Sequence, residues 1–124
     1  MSPRIAVTLA AAFLFVAVGA GALGSHAFRT VIAPDLQPAF ANAVQYQFFH
    51  ALGLLGVGVL LLHKPRSRLL AVSGWLLVAG LVLFCGSLYF ITLTGNHAPG
   101  MLTPVGGVAF LAAWATLAIA AWRW

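Results

Sequence analysis

Four apolar stretches, at about residues 5–27, 39–62, 69–93 and 104–121, occupy most of the chain, with short polar breaks between them. The first is about 23 residues long, roughly 34 Å at a helical rise of 1.5 Å, enough for one crossing of a bilayer. Backbone N–H and C=O groups in hydrocarbon must be satisfied within the segment, so each stretch is expected to be a helix. Composition points the same way. Of 124 residues, 63% are hydrophobic and 6% charged, and the mean hydropathy is +1.06, whereas a soluble domain carries about 25% charged residues. The expected fold is all-α: a single domain over residues 1–124, built as an integral membrane bundle of four transmembrane helices.

The breaks hold start and stop signals. Phe28 to Phe40 contains Arg29, Pro34, Asp35 and Pro38 and reads as a connector at the membrane surface, with Asp35 capping the next helix and Pro38 in its first turn. His63-Lys64-Pro65-Arg66-Ser67-Arg68 is a tight basic turn, in which Pro65 stops the second helix. Thr94 to Gly100 is the next turn. Thr103 before Pro104 supplies a hydroxyl cap and then a residue with no N–H to satisfy.

The first stretch also mimics a signal peptide, with Arg4 ahead of an apolar core and Ala20-Gly21-Ala22 in the form of a cleavage site. Against cleavage, Ala17, Gly21 and Ser25 recur every four residues, as do Ala20 and Gly24, which is how a retained helix presents a packing face. Gly24-Ser25-His26-Ala27-Phe28 and Gly86-Ser87-Leu88-Tyr89-Phe90 share three of five residues, a weak echo of the kind a duplicated hairpin leaves. Coincidence is the stronger reading in a chain so rich in small and aromatic residues.

Charge sets the expected orientation. Four crossings put both termini and the basic turn on one side, so Arg4, Lys64, Arg66, Arg68 and Arg123 lie there and Arg29 alone lies opposite. The positive-inside rule then places both termini in the cytoplasm. Trp122 and Trp124 around Arg123 add an interfacial anchor. The formal charge of +5 is explained by this topology, and no nucleic-acid partner is expected, because the basic residues are not gathered on one face with interleaved aromatics.

Asn42-Ala43-Val44-Gln45-Tyr46-Gln47-Phe48-Phe49-His50 is the most polar part of any span. On a helix Asn42, Tyr46, His50 and Gly53 form one stripe, with Gln47 beside it. An unpaired polar group in hydrocarbon costs about 2–7 kcal/mol, so the stripe should face other helices or a watery cavity. His26 ends the first helix at this outer side, Ser87 and Tyr89 end the third and Thr103 begins the fourth, while the inner halves read as Leu, Val, Ala and Gly. An outward-opening polar pocket is therefore expected around His26, Tyr46, Gln47, His50 and Tyr89.

Several kinds of chemistry are excluded. There is no Glu, and Asp35 is the only acid, so paired carboxylates and acidic calcium loops are absent. No histidines have metal-ligand spacing, and only His26 with His50 approaches a pair suited to haem, so neither a metal nor a cofactor is expected. Ser25 and His26 are adjacent, which turns their side chains about 100° apart on a helix, and no acid is near to orient a base. Cys85 is the only cysteine and lies in an apolar run, so no internal disulfide forms. The glycines fall within spans and read as close helix packing. No catalytic residue is assigned, and the chain is not expected to be an enzyme.

Four motifs, Gly21-Ala22-Leu23-Gly24-Ser25-His26-Ala27, Tyr46-Gln47-Phe48-Phe49-His50-Ala51, Gly86-Ser87-Leu88-Tyr89 and Thr103-Pro104-Val105-Gly106-Gly107, occur in one order along nearly the whole chain. Together they resemble a family of small four-helix proteins of bacterial inner membranes, with an animal mitochondrial relative, known only as a domain of unknown function. Ser25 departs from the family pattern, where Ala is usual. The resemblance implies an uncleaved first helix and a multi-pass location in the bacterial inner membrane, and carries no established activity, cofactor or catalytic residue. The expected role is a non-enzymatic accessory or assembly protein, working through helix contacts with itself or a larger membrane complex. The alternative is a small carrier or ligand-binding protein that uses the outward pocket around His26, Tyr46 and His50 for a quinone-like head group, a haem or a small solute.

Overall fold

The first helix begins where the sequence supplies a cap. In the computed structural model, which describes residues 1–124, the Ser2 hydroxyl accepts from the Ile5 N–H at 3.2 Å, and Pro3 opens helix α1 (Pro3–Ser25). Two 3-10 turns follow, and then α2 (Gln37–His63). Past the basic turn, Ser67 caps α3 (Arg68–Thr94) by accepting from the Leu70 N–H at 3.3 Å. Gly95 ends α3 with a φ of 73°, a left-handed conformation open to glycine, and its N–H reaches the Ile91 carbonyl at 2.8 Å. Helix α4 (Leu102–Trp122) completes the chain. All four helices are long and apolar enough to cross a membrane.

Two caps differ from expectation. Asp35 lies within the 3-10 turn Pro34–Leu36 and caps nothing. That turn runs straight into α2, and its backbone already satisfies the Leu36 N–H, which donates to Ala33 at 2.9 Å. Thr103 is inside α4, not ahead of it, because another 3-10 turn, Ala98–Met101, leads into the helix. Its hydroxyl shares a hydrogen bond with Ser87 of α3 instead.

Each helix runs antiparallel to the next. α1 packs mainly on α2 and α4 on α3, while α2 and α3 meet in the middle. In the most apolar part of each span 39% of residues are buried in α2 and α3, against 17% in α1 and 22% in α4, so the outer pair is largely left to lipid. The core is Leu54, Val57, Leu61, Leu70, Leu77 and Leu81. Since lipid tails are as apolar as leucine, close contact rather than water exclusion holds the helices together. Small residues make that contact possible: Ala6, Ala10 and Ala17 are the buried face of α1, and a Cβ on Gly58 would lie 2.9 Å from Val7.

The small-residue face expected on α1 is partly present. Ala17 is buried, Gly21 faces Val44 and Gly24 lies beneath the Phe40 ring, but Ser25 is exposed. The two glycines of the hairpin echo differ in surroundings, Gly24 meeting the Phe40 ring and Gly86 having nothing within 4 Å of where its Cβ would be. The inner halves are also not free of polar groups. Ser73 of α3 is fully buried and donates to the Ala113 carbonyl of α4 at 2.8 Å. Mid-way along α3, Leu81–Cys85 forms a single π turn, and Gly106 of α4 rests there against the backbone of Phe84. Such turns add one residue to a helix and shift the direction of the side chains around it.

Candidate functional site

Gln47 is 2% exposed and touches three helices at once. From α2 its Nε2 donates to the Phe13 carbonyl of α1 at 2.7 Å, and its Oε1 accepts from the Tyr89 hydroxyl of α3. Phe40 covers this junction, its ring centroid 5.4 Å from that of Tyr89.

Three positions on, the adjoining side of α2 faces α4. There the His50 ring lies on Phe110 with 3.6 Å between centroids and 17° between planes, and Trp114 sits 5.9 Å away. Tyr46 stacks on Phe84 at 4.8 Å. His50 Nδ1 is 2.8 Å from the Tyr46 carbonyl, and a carbonyl only accepts, so Nδ1 carries the proton. In the neutral ring Nε2 then presents a lone pair with no partner in the protein. No fully buried nitrogen or oxygen side-chain atom lacks a partner, so the Nε2 edge reaches the bundle surface. Tyr46 is 38% exposed, and its hydroxyl is likewise unpaired.

The five residues expected to share one pocket therefore fall into three places. Gln47 and Tyr89 form an interhelical junction, Tyr46 and His50 form part of an aromatic wall on another face, and His26 stands apart. His26 is exposed at the end of α1 and makes no side-chain hydrogen bond. Asn42, the first member of the expected stripe, is also exposed. A recess of about 870 Å³ contains none of the five. It opens between α1, the connector and α2, beside Gly21, Gly24, Phe28, Gln45 and Phe48.

Chemically the aromatic wall offers one imidazole lone pair and one phenol, suited to hydrogen-bonding a neutral polar group. Nowhere do three His, Cys, Asp or Glu side chains gather as metal ligands would. The Ser25 hydroxyl donates to the Gly21 carbonyl at 3.1 Å and is not paired with His26. Phe84, Phe110 and Trp114, which build the wall, carry no local sequence signal beyond being aromatic residues in apolar spans. Their counterparts Gly53, Gly80 and Gly106 were visible as packing glycines, but which aromatic meets which glycine depends on the tertiary fit.

The model of a family described as "Protein of unknown function (DUF423)" matches residues 20–107, most of the chain. The chain belongs to the DUF423 family. Relatives named as UPF0382 membrane proteins align almost end to end. That of Staphylococcus epidermidis is 38% identical over 117 residues, covering 94% of each chain. YwdK of Bacillus subtilis is 37% identical over 118 residues, 95% of this chain and 96% of its own. YgdD of Escherichia coli, named an inner membrane protein, is 35% identical over 123 residues, 99% of this chain and 93% of its own. No solved structure matches the chain. The DUF423 match includes Gln47, His50, the π turn, Tyr89 and Gly106, and stops short of Phe110 and Trp114. This DUF423 protein is thus a multi-pass membrane protein of unknown function.

Proposed function

We propose that the protein is a non-enzymatic accessory or assembly factor of the bacterial inner membrane, with both termini cytoplasmic, acting through helix contacts with itself or with a larger membrane complex. The observation that carries this reading is the junction at Gln47. The most buried polar side chains within the spans, Gln47, Ser73, Ser87 and Thr92, are all hydrogen-bonded inside the bundle. Such bonds average about 0.6 kcal/mol between membrane helices, so they specify geometry more than they add stability. The rigid bundle they define exposes most of α1 and α4 to neighbours. The five basic residues at the end carrying both termini support the orientation.

Native mass spectrometry after extraction in mild detergent tests the role. Gly19 of α1 is exposed, with nothing within 4 Å of a Cβ placed there, so Gly19→Leu leaves the bundle intact while obstructing a helix that packs on α1. The expected result is a homo-oligomer or a co-purifying subunit that survives His50→Ala, with Gly19→Leu reporting whether α1 is the contact. A bare monomer from native membranes would overturn the reading.

A second reading rests on the unpaired His50 Nε2 and Tyr46 hydroxyl: the aromatic wall is the binding face of a small carrier or ligand-binding protein. It expects a non-covalent mass on the wild type that vanishes in His50→Ala while the fold survives.

A further inference from the structure

At the end opposite the aromatic wall, the turn between α2 and α3 meets the end of α4 around a recess of about 360 Å³, lined by Lys64, Arg66, Ser67, Leu69, Arg123 and Trp124 among others. That volume lies at the lower end of the range for small-molecule sites. Three cations from two separate chain segments converge on it. The chain's only side-chain acid, Asp35, lies in the connector at the far end of the bundle, so beside the three cations the one anion is the backbone carboxylate of Trp124, and a positive excess remains. Lys64 Nζ lies 5.3 Å from the centroid of the Trp124 ring, held at the wall by a cation–π contact.

The same recess lies at the start of α3. Ser67 Oγ takes the Leu70 N–H and the Ser67 carbonyl takes that of Ala71. The N–H groups of Arg68 and Leu69, with no preceding turn of their own helix, have no acceptor in the protein. They are directed donors at the positive end of a helix of 27 residues. Long-armed cations, fixed N–H donors and an interfacial indole together select an anion at the membrane surface.

We propose that this recess is a phosphate-binding site filled in the membrane by the headgroup of an acidic glycerophospholipid. Lys64, Arg66 and Arg123 supply the charge, the unpaired N–H of Leu69 at the helix start supplies direction, and Trp124 borders the glycerol. Free phosphate shares this chemistry. The lipid is the favoured source because the recess lies among residues at a helix end, beside apolar Leu69 and Ala120, where acyl chains run.

The test is native mass spectrometry of delipidated protein in a neutral detergent, titrated with phosphatidylglycerol or with phosphatidylcholine. The variants are Lys64→Gln/Arg66→Gln/Arg123→Gln and, as a charge control at the same end, Arg4→Gln. Circular dichroism checks that each variant stays helical; the single variant Arg123→Gln replaces the triple if it does not. The expected result is a phosphatidylglycerol adduct on the wild type and Arg4→Gln, weakened by at least about tenfold when the three cations are removed, with phosphatidylcholine indifferent to the variants. Unchanged lipid binding in the variant, or an equal loss in Arg4→Gln, would overturn the site and leave only diffuse surface charge. Displacement of the lipid by millimolar inorganic phosphate would overturn the lipid as its occupant.

Discussion

Phe110 of α4 occupies the gap that Gly80 leaves on α3 and lies flat on His50 of α2, so one ring joins three helices. A Cβ on Gly80 would fall inside the van der Waals radius of that ring. Gly80→Ala is therefore expected to destabilise by about 1–3 kcal/mol through overpacking. In a Phe110→Ala background the clash is gone, and the same substitution should cost little. A double-mutant cycle by unfolding in detergent checks this: additive effects would mean that Phe110 does not rest on Gly80.

Gln47 and Tyr89 should behave as a coupled pair. Tyr89→Phe leaves the Gln47 carbonyl oxygen without its partner, and Gln47→Leu leaves the phenol without its acceptor. Replacing both removes the two orphans together. The coupling energy is expected near the membrane range, about 0.6 and at most about 1.7 kcal/mol, read from the four unfolding curves of the cycle. A value indistinguishable from zero would show that the hydrogen bond is absent in solution.

Hydropathy made the four helices legible, because length and lipid solubility depend on composition alone. The polar stretch of α2 also stood out, but its division between two faces did not. Gln47 and His50 are three residues apart, neighbours on a helix surface, yet one meets α1 and α3 while the other meets α4. Which neighbour stands on each side of α2 is a tertiary fact. His26 looked like a partner of His50 because both belong to the same end of the bundle, and depth along the membrane says nothing about direction around a helix. Ser73 was passed over as one hydroxyl in an apolar run, although its bond to Ala113 crosses between helices. The π turn has no composition of its own, and it became visible only with Gly106 lying against it.

Cys85 gives a probe of the same region. Its side chain is 2% exposed within the π turn. Alkylation by a maleimide is expected to be slow in the native protein and fast after unfolding in denaturant, so the labelling rate tracks opening of the α3–α4 contact. Rapid labelling of the native protein, as fast as that of the unfolded chain, would show that α4 does not stay docked on the turn.

Two glycine-to-alanine changes should have opposite signs. Gly106 faces backbone, the Phe84 N–H and Cα, and backbone cannot swing aside as a side-chain tip can. Gly106→Ala must push α4 away from the π turn, loosening the nearby Ser87–Thr103 bond and the stacking of Phe84 with Tyr46, at a cost of about 1–3 kcal/mol. Gly56 lies on the lipid-facing side of α2 with nothing within 4 Å of a new Cβ. There the methyl group meets no obstacle, and the reduced freedom of the unfolded chain favours alanine by about 0.4–1 kcal/mol. Thermal unfolding in one detergent should move the midpoint down for Gly106→Ala and slightly up for Gly56→Ala. Faster Cys85 alkylation in Gly106→Ala alone would locate the damage at the π turn; equal rates in both variants would place the contact elsewhere.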